Sequence, residues 1–241
     1  MRHKQRLPFT IVHEDRDVLV IDKPPGLLSS SGARDRRVTA WGVVQDYLAA
    51  TDRAARPGLI HRLDRDASGL LVFSKNSSAY RSLKSQFFHH TVTRAYAAVV
   101  HGKINPAKGR IESRLIERVD GTVRSTGRGG QRAITDYETI ESNKSFSLLR
   151  VTLLTGRKHQ IRVQLSEREH PIVGDAVYGS SDKLEPLRLT AIELQFDHPT
   201  NGERVTFKRE IPWELPRKEL KETRRREERE GRREDEKKAF L

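Results

Sequence analysis

Three observations on the sequence agree with an α+β fold. Short apolar runs of strand length recur from residue 9 to residue 209, bounded by Gly, Pro and charged turns. Few segments carry a helical apolar period with a capping residue in front. At 241 residues, the chain is long enough to bury a substantial core.

Residues 9–22 read as a hairpin, with Phe9, Ile11 and Val18 to Ile21 strand-like around a polar turn at Glu14 to Asp17. Pro24-Pro25-Gly26 ends it, because neither proline can donate to a sheet ladder. Leu27 to Arg37 reads as a mobile Ser/Gly/Arg loop. Thr39 is placed to cap a helix through Ala50, with Trp41, Val44 and Leu48 at helical spacing. Asn76 or Ser77 caps a second helix in which Tyr80, Leu83 and Phe87 share a face. His89-His90 at its end suits the helix C-terminal dipole better than a metal, since adjacent side chains diverge. Residues 91–100 form a strand with Val92, Arg94, Tyr96 and Ala98 on one face, and the alanines around Tyr96 leave room for a flat group.

Residues 104–132 mix short strand candidates with a Gly/Arg loop at 126–133. Strands follow at 133–141 and 146–154, then a helix from Lys158 to Arg168 that sets Lys158 and Arg162 one turn apart on a surface-lining face. The loop at 170–179 is a fixed turn, strands at 187–196 and 204–209 close the body, and Ile211 to Pro216 is a packing segment. From Arg217 to Leu241 the chain is a charged tail with pairs such as Glu222–Arg226 and no apolar face, read as disordered or as a solvated helix.

The composition is 35% hydrophobic and 33% charged, with a formal net charge of +13. The tail, with eleven Lys/Arg against eight Asp/Glu, holds +3 of that, so residues 1–216 hold the other +10. A basic body points to a polyanionic partner, nucleic acid foremost. The lack of cysteine excludes disulfides and thiolate metal sites. No stretch approaches membrane-span length and no leader-like apolar segment opens the chain, so a cytoplasmic protein without membrane contact is expected.

The densest chemistry lies in GLIHRLDRDASGLLVFSKN, residues 58–76. Arg62, Asp64, Arg65 and Asp66 crowd a turn that leads into the apolar strand Leu70 to Phe73. Asp64 is the candidate nucleophile, since a carboxylate can form a covalent intermediate without metal or cofactor. A partly buried carboxylate needs a cationic partner, and an Arg at contact distance offers about 4 kcal/mol at an intermediate effective dielectric. The second basic stretch, TGRKHQIRVQL at 155–165, supplies candidates.

Residues 61–76 resemble the HRLD-x-x-T-S-G-L-L motif of the RluA family of RNA pseudouridine synthases. VLVIDKPPGLL (18–28), RAYAAVVHGK (94–103) and TGRKHQIRVQLSEREHPIVGDAVYG (155–179) are similar to three further blocks of that family, in the family's order. The resemblance implies a mixed, mainly antiparallel central sheet with flanking helices and a cleft between two subdomains. It implies that residues 1–216 form one catalytic domain, without the small N-terminal RNA-binding domain of many relatives. Asp64 would attack the target uridine, Arg162 would pair with Asp64, and Tyr96 would stack on the flipped base and assist proton removal. Arg62 would enter the RNA stack, with Arg65 and Lys158 as further RNA contacts. The partner would be a ribosomal or transfer RNA stem-loop, with no cofactor and no metal, and the protein a monomer. The chain departs from the family's pattern at Ala67 (Thr), Ser74 (Ala), Gln164 (His) and the Ser29-Ser30-Ser31 run (His). Two rival readings use the same residues: an RNA-binding assembly factor without activity, and a glycosidic-bond-cleaving enzyme with Asp66 as the only nearby second carboxylate.

Overall fold

Alternating and continuous apolar runs become strands here, and the order in which they pair creates the cleft. The computed structural model describes residues 7–32, 35–179 and 186–216; the charged tail lies outside them. The elements are β1 (Thr10–Glu14), β2 (Val18–Lys23), α1 (Ala40–Thr51), β3 (Gly58–Leu59), β4 (Ser68–Ser74), α2 (Ser77–Phe88), β5 (Thr93–His101), β6 (Lys108–Glu117), β7 (Val123–Ser125), β8 (Gln131–Ser142), β9 (Phe146–Leu153), α3 (Gln160–Ser166), β10 (Leu189–Asp197) and β11 (Arg204–Lys208).

The strands form one sheet in the order β1-β2-β4-β10-β5-β9-β8-β6-β7, with β11 on β10 and β3 on β4. Every pairing is antiparallel except β4 with β10, which run parallel through Thr190↔Ser68 and Ala191↔Gly69. The expected mixed, mainly antiparallel sheet with flanking helices is therefore present. All seven residues of β4 are buried, as the unbroken apolar run requires of a strand covered on both faces. Gly69 has φ +110°, and a Cβ there would lie 2.3 Å from the Ala191 carbonyl oxygen, so only glycine lets the two halves approach at this seam.

The caps are those the sequence indicates: Thr39 accepts from the Gly42 amide and Asn76 from the Ala79 amide. Val44 and Leu48 bury one face of α1, while Ala79 and Leu83 bury α2 and Tyr80 stays exposed. Ile211 and Trp213 pack with buried Leu215 against Ala95, Ala97 and Val99, the packing role expected of that segment. Asp15, Asp17 and His198 gather at the β1–β2 turn. Their oxygens accept from the Asp17 and Val18 amides, Asn76 and Thr200, which makes the cluster a turn clamp.

Two expectations are corrected. The loop after β2 is not loose throughout, because Leu28 bridges to Thr39 and Ser29 is buried. The third helix begins at Gln160 and ends at Ser166, and it is buried from Gln160 to Leu165 rather than lining the surface. His159 in front of it is left-handed (φ 51°), so Lys158 belongs to the preceding turn and shares no helical face with Arg162.

Candidate active site

Asp64 sits in the loop between β3 and β4, and its two neighbours are pinned by backbone contacts. Leu63 is buried, its carbonyl accepting from Ser29 Oγ at 2.7 Å and its amide donating to the same oxygen at 3.0 Å. The Arg65 carbonyl accepts from Lys23 Nζ at 3.0 Å and from the Gly26 amide at 2.9 Å. Lys23 is fully buried and donates also to the Pro24 and Leu27 carbonyls, and burial pushes its pKa down to about 8. With residues 63 and 65 held, the Asp64 side chain is directed into the cleft and is 24% exposed.

Arg162 reaches it from buried α3, Nη1 to Asp64 Oδ2 at 3.2 Å. The other edge of the guanidinium is clamped by Asp175, with Nε and Nη2 each donating at 2.8 Å to a different carboxylate oxygen. Burial works against the charge, yet Asp175 and Asp64 together hold Arg162 above its ordinary pKa. Asp175 has no exposed side-chain surface, and its Oδ1 also accepts from the Val177 and Tyr178 amides. Tyr178 lies under the guanidinium, 5.2 Å from ring centroid to Cζ, and its hydroxyl accepts from the Val123 amide and bonds to His159 Nδ1. The side chain is thus a packing support for Arg162 and the β7 backbone.

Tyr96 comes from β5, where its Cα pairs with Ala191 on one side and Val151 on the other. It is 7% exposed; burial raises its pKa, and the Asp64 carboxylate adds to the effect against an opposing contribution from Arg94. Asp64, Tyr96 and Arg162 all line one cleft of about 1130 Å³ with Arg62, Arg65, Arg94, Arg157 and Lys158 on its walls. Arg62 is exposed there. Arg65 is paired with Asp66, Nε to Oδ1 at 2.9 Å, and Lys158 with Glu117 at 2.5 Å. The arrangement presents a carboxylate paired with an arginine, a flat aromatic wall and several cations around one volume, which suits a flat base attached to a phosphate backbone.

The departures from the family pattern have local accounts. Gln164 is buried and joins α3 to the sheet, donating to Ser113 Oγ at 2.9 Å and accepting from Thr135 Oγ1 at 2.6 Å. Ser29 holds Leu63, as above. Ala67 is buried against the cleft, and nothing in the structure explains its replacing a threonine. Sequence reasoning gave no role to Asp175, Ser29 or Lys23. Asp175 stands in the quoted GDAVYG block, whereas the serine run carried no signal.

A family model described as RNA pseudouridylate synthase matches residues 17–167. Ribosomal large subunit pseudouridine synthase D of Zymomonas mobilis is 35% identical over 230 residues, covering 88% of this chain and 72% of that protein. An uncharacterized RNA pseudouridine synthase of Bacillus subtilis, YlyB, is 36% identical over 215 residues, covering 87% and 71%. Among solved structures, human RNA pseudouridylate synthase domain containing 4 superposes with a TM-score of 0.72 at 24% identity, over 84% of this chain and 88% of that one. Human RNA pseudouridylate synthase domain containing 1 gives 0.69 at 25% identity, over 90% and 93%. With the motifs, the fold and the relatives in agreement, this chain belongs to the RNA pseudouridylate synthase family and is an RNA pseudouridine synthase.

Proposed function

We propose that the enzyme isomerises a uridine in structured RNA with Asp64 as its nucleophile, and that large-subunit ribosomal RNA is the first substrate to test. The carrying observation is the Asp64–Arg162–Asp175 line, which sets one carboxylate against a buried cation at the mouth of a cationic cleft whose wall is Tyr96. The substrate class draws on the relatives named for the large ribosomal subunit; a transfer RNA stem-loop is the second choice. A loop uridine is favoured, since it costs least to unstack.

In the proposed reaction an Asp64 oxygen attacks C1′, the C1′–N1 bond breaks, and its electron pair stays on the uracil ring. The ring turns against Tyr96, and C5 then attacks C1′ while the ester bond to Asp64 breaks. The proton on C5 leaves to solvent and N1 takes one up, so the net change is isomerisation. Attack at C6 instead would use the same carboxylate and lose the same C5 proton. Arg162 sets its positive charge 3.2 Å from the Asp64 carboxylate, ready to stabilise it before attack and after its release. Arg62, exposed beside Asp64, fits the space a flipped base vacates.

Transcribed large-subunit RNA carrying tritium at C5 of uridine tests the reading. The expected result is tritium release with unchanged chain length, abolished in Asp64→Asn. Release that survives Asp64→Asn removes the nucleophile assignment. Tight binding without release from any ribosomal or transfer RNA favours an assembly factor, and strand or base loss favours glycosidic cleavage.

A further inference from the structure

Arg94 stands two residues before Tyr96 on β5, so both side chains leave the same face of the strand and enter the same cleft. Its guanidinium is held in place without being paired. It lies 5.5 Å over the Phe87 ring, and a Cβ added to Gly156 would come within 2.4 Å of Nη1. Its Nε is buried with no hydrogen-bond partner, and no ion pair reaches the group among the described residues. Burial presses its pKa down, the neighbouring Tyr96 works the other way, and the cation Arg157 adds to the lowering. Other cleft cations are engaged: Arg65 with Asp66, Lys158 with Glu117, and Arg162 with two carboxylates.

A partly buried guanidinium whose Nε is buried and which has no counterion is costly, and chains seldom keep one unless something outside supplies the anion. We propose that Arg94 is a substrate-binding residue whose counterion is a backbone phosphate flanking the target uridine, holding the flipped nucleotide by its phosphodiester while Tyr96 faces the base. The proposal rests on the reading of this cleft as the RNA site. A phosphate fits better than an acidic side chain of a protein partner because Arg62, Arg94 and Arg157, which have no ion pair among the described residues, line the cleft beside a flat wall suited to a base. Gly156 takes part by being bare: any side chain there would displace the guanidinium.

The test uses the full chain and a synthetic RNA hairpin whose loop contains one uridine, with binding measured across a range of NaCl. Arg94→Met keeps a long unbranched side chain beside Phe87 and removes the charge. It is expected to melt at or above the wild-type temperature, to bind about tenfold or more weakly at moderate salt, and to lower the salt slope by about 0.7 to 0.9. Arg94→Lys is expected to keep the slope. A neutral methylphosphonate on one side of the uridine should weaken wild-type binding similarly and should leave Arg94→Met unaffected. An Arg94→Met protein that is less stable but has an unchanged slope would assign Arg94 to the core and overturn the proposal. So would a wild-type protein indifferent to both flanking methylphosphonates, a result that stands even if the variant does not fold. Tritium release surviving Asp64→Asn while the Arg94 effects persist would remove the nucleophile and leave the phosphate contact. Loss of release in Asp64→Asn without any Arg94 effect would do the reverse.

Discussion

Asp175 holds Arg162 by two parallel hydrogen bonds of 2.8 Å, and this leaves only Nη1 to reach Asp64, at 3.2 Å. The buried carboxylate thus aims the cation, and the cleft carboxylate receives it. Asp175→Asn would leave Arg162 buried with half its compensation, and breaking a buried pair this way costs about 3–5 kcal/mol. The expected outcome is that large loss in urea denaturation, with kcat lowered about a hundredfold through misplacement of the guanidinium. Asp64→Asn, at a site still 24% exposed and with Asp175 intact, should change stability by less than about 1 kcal/mol while abolishing turnover.

Tyr96 carries two separable properties, a ring and a hydroxyl. Its raised pKa keeps the phenol protonated at neutral pH, and in the proposed stacking role the ring face is what meets the base. Tyr96→Phe is expected to retain wild-type affinity for substrate RNA, whereas Tyr96→Ala should lose about 1–3 kcal/mol of binding. If the hydroxyl assists removal of the C5 proton, Tyr96→Phe will slow tritium release at saturating RNA without a change in affinity. Filter binding beside single-turnover release separates the two.

Much of this arrangement was legible because its chemistry is contiguous in the chain. The Asp64 loop and its strand fall within residues 58–76, and the hairpin and both N-caps follow from local patterns. The start of α3 was not legible. Lys158 continues an apparent helical period, but His159 turns left-handed and the Gln160 side chain accepts from the Arg157 amide and Thr155 Oγ1. Nor was its burial legible, since Gln160, Arg162 and Gln164 look like surface residues until Thr135, Asp175 and Ser113 satisfy them. The missing roles of Ser29 and Lys23 have the same cause, because each acts on residues 34 or more positions away through a backbone group.

The parallel seam between β4 and β10 makes a sharp mutational prediction. Gly69→Ala places a methyl group against the Ala191 amide and carbonyl at a φ that L residues rarely adopt. Neither strand can yield without parting the two sheet halves that carry Asp64 and Tyr96. Gly69→Ala should therefore destabilise the fold by several kcal/mol and fail to accumulate as a soluble protein at 37 °C. By contrast, a Cβ at Gly26 would meet nothing within 4 Å, although its φ of +83° disfavours L residues there too. Gly26→Ala should cost no more than about 1–2 kcal/mol and remain soluble, which thermal melting of the two variants can check.

His61 supplies a pH dependence of stability that is independent of catalysis. Its ring stacks on Phe87 at 4.8 Å, and its Nε2 accepts from the Val72 amide, so the neutral form is the one the fold holds. Burial, with Arg94 and Lys84 nearby, pushes its pKa down to about 3, whereas an unfolded histidine titrates near 6.5. Between those values the unfolded chain binds the extra proton, so acid favours unfolding. The contribution is full above pH 6.5 and is lost progressively as pH falls toward 3, at no more than about 1.4 kcal/mol per pH unit. His61→Gln removes the titrating group and retains an acceptor for the Val72 amide. Urea denaturation at intervals from pH 7.5 to 4.5 should show a shallower decline in that variant than in wild type, and parallel curves would show that His61 is not the group responsible.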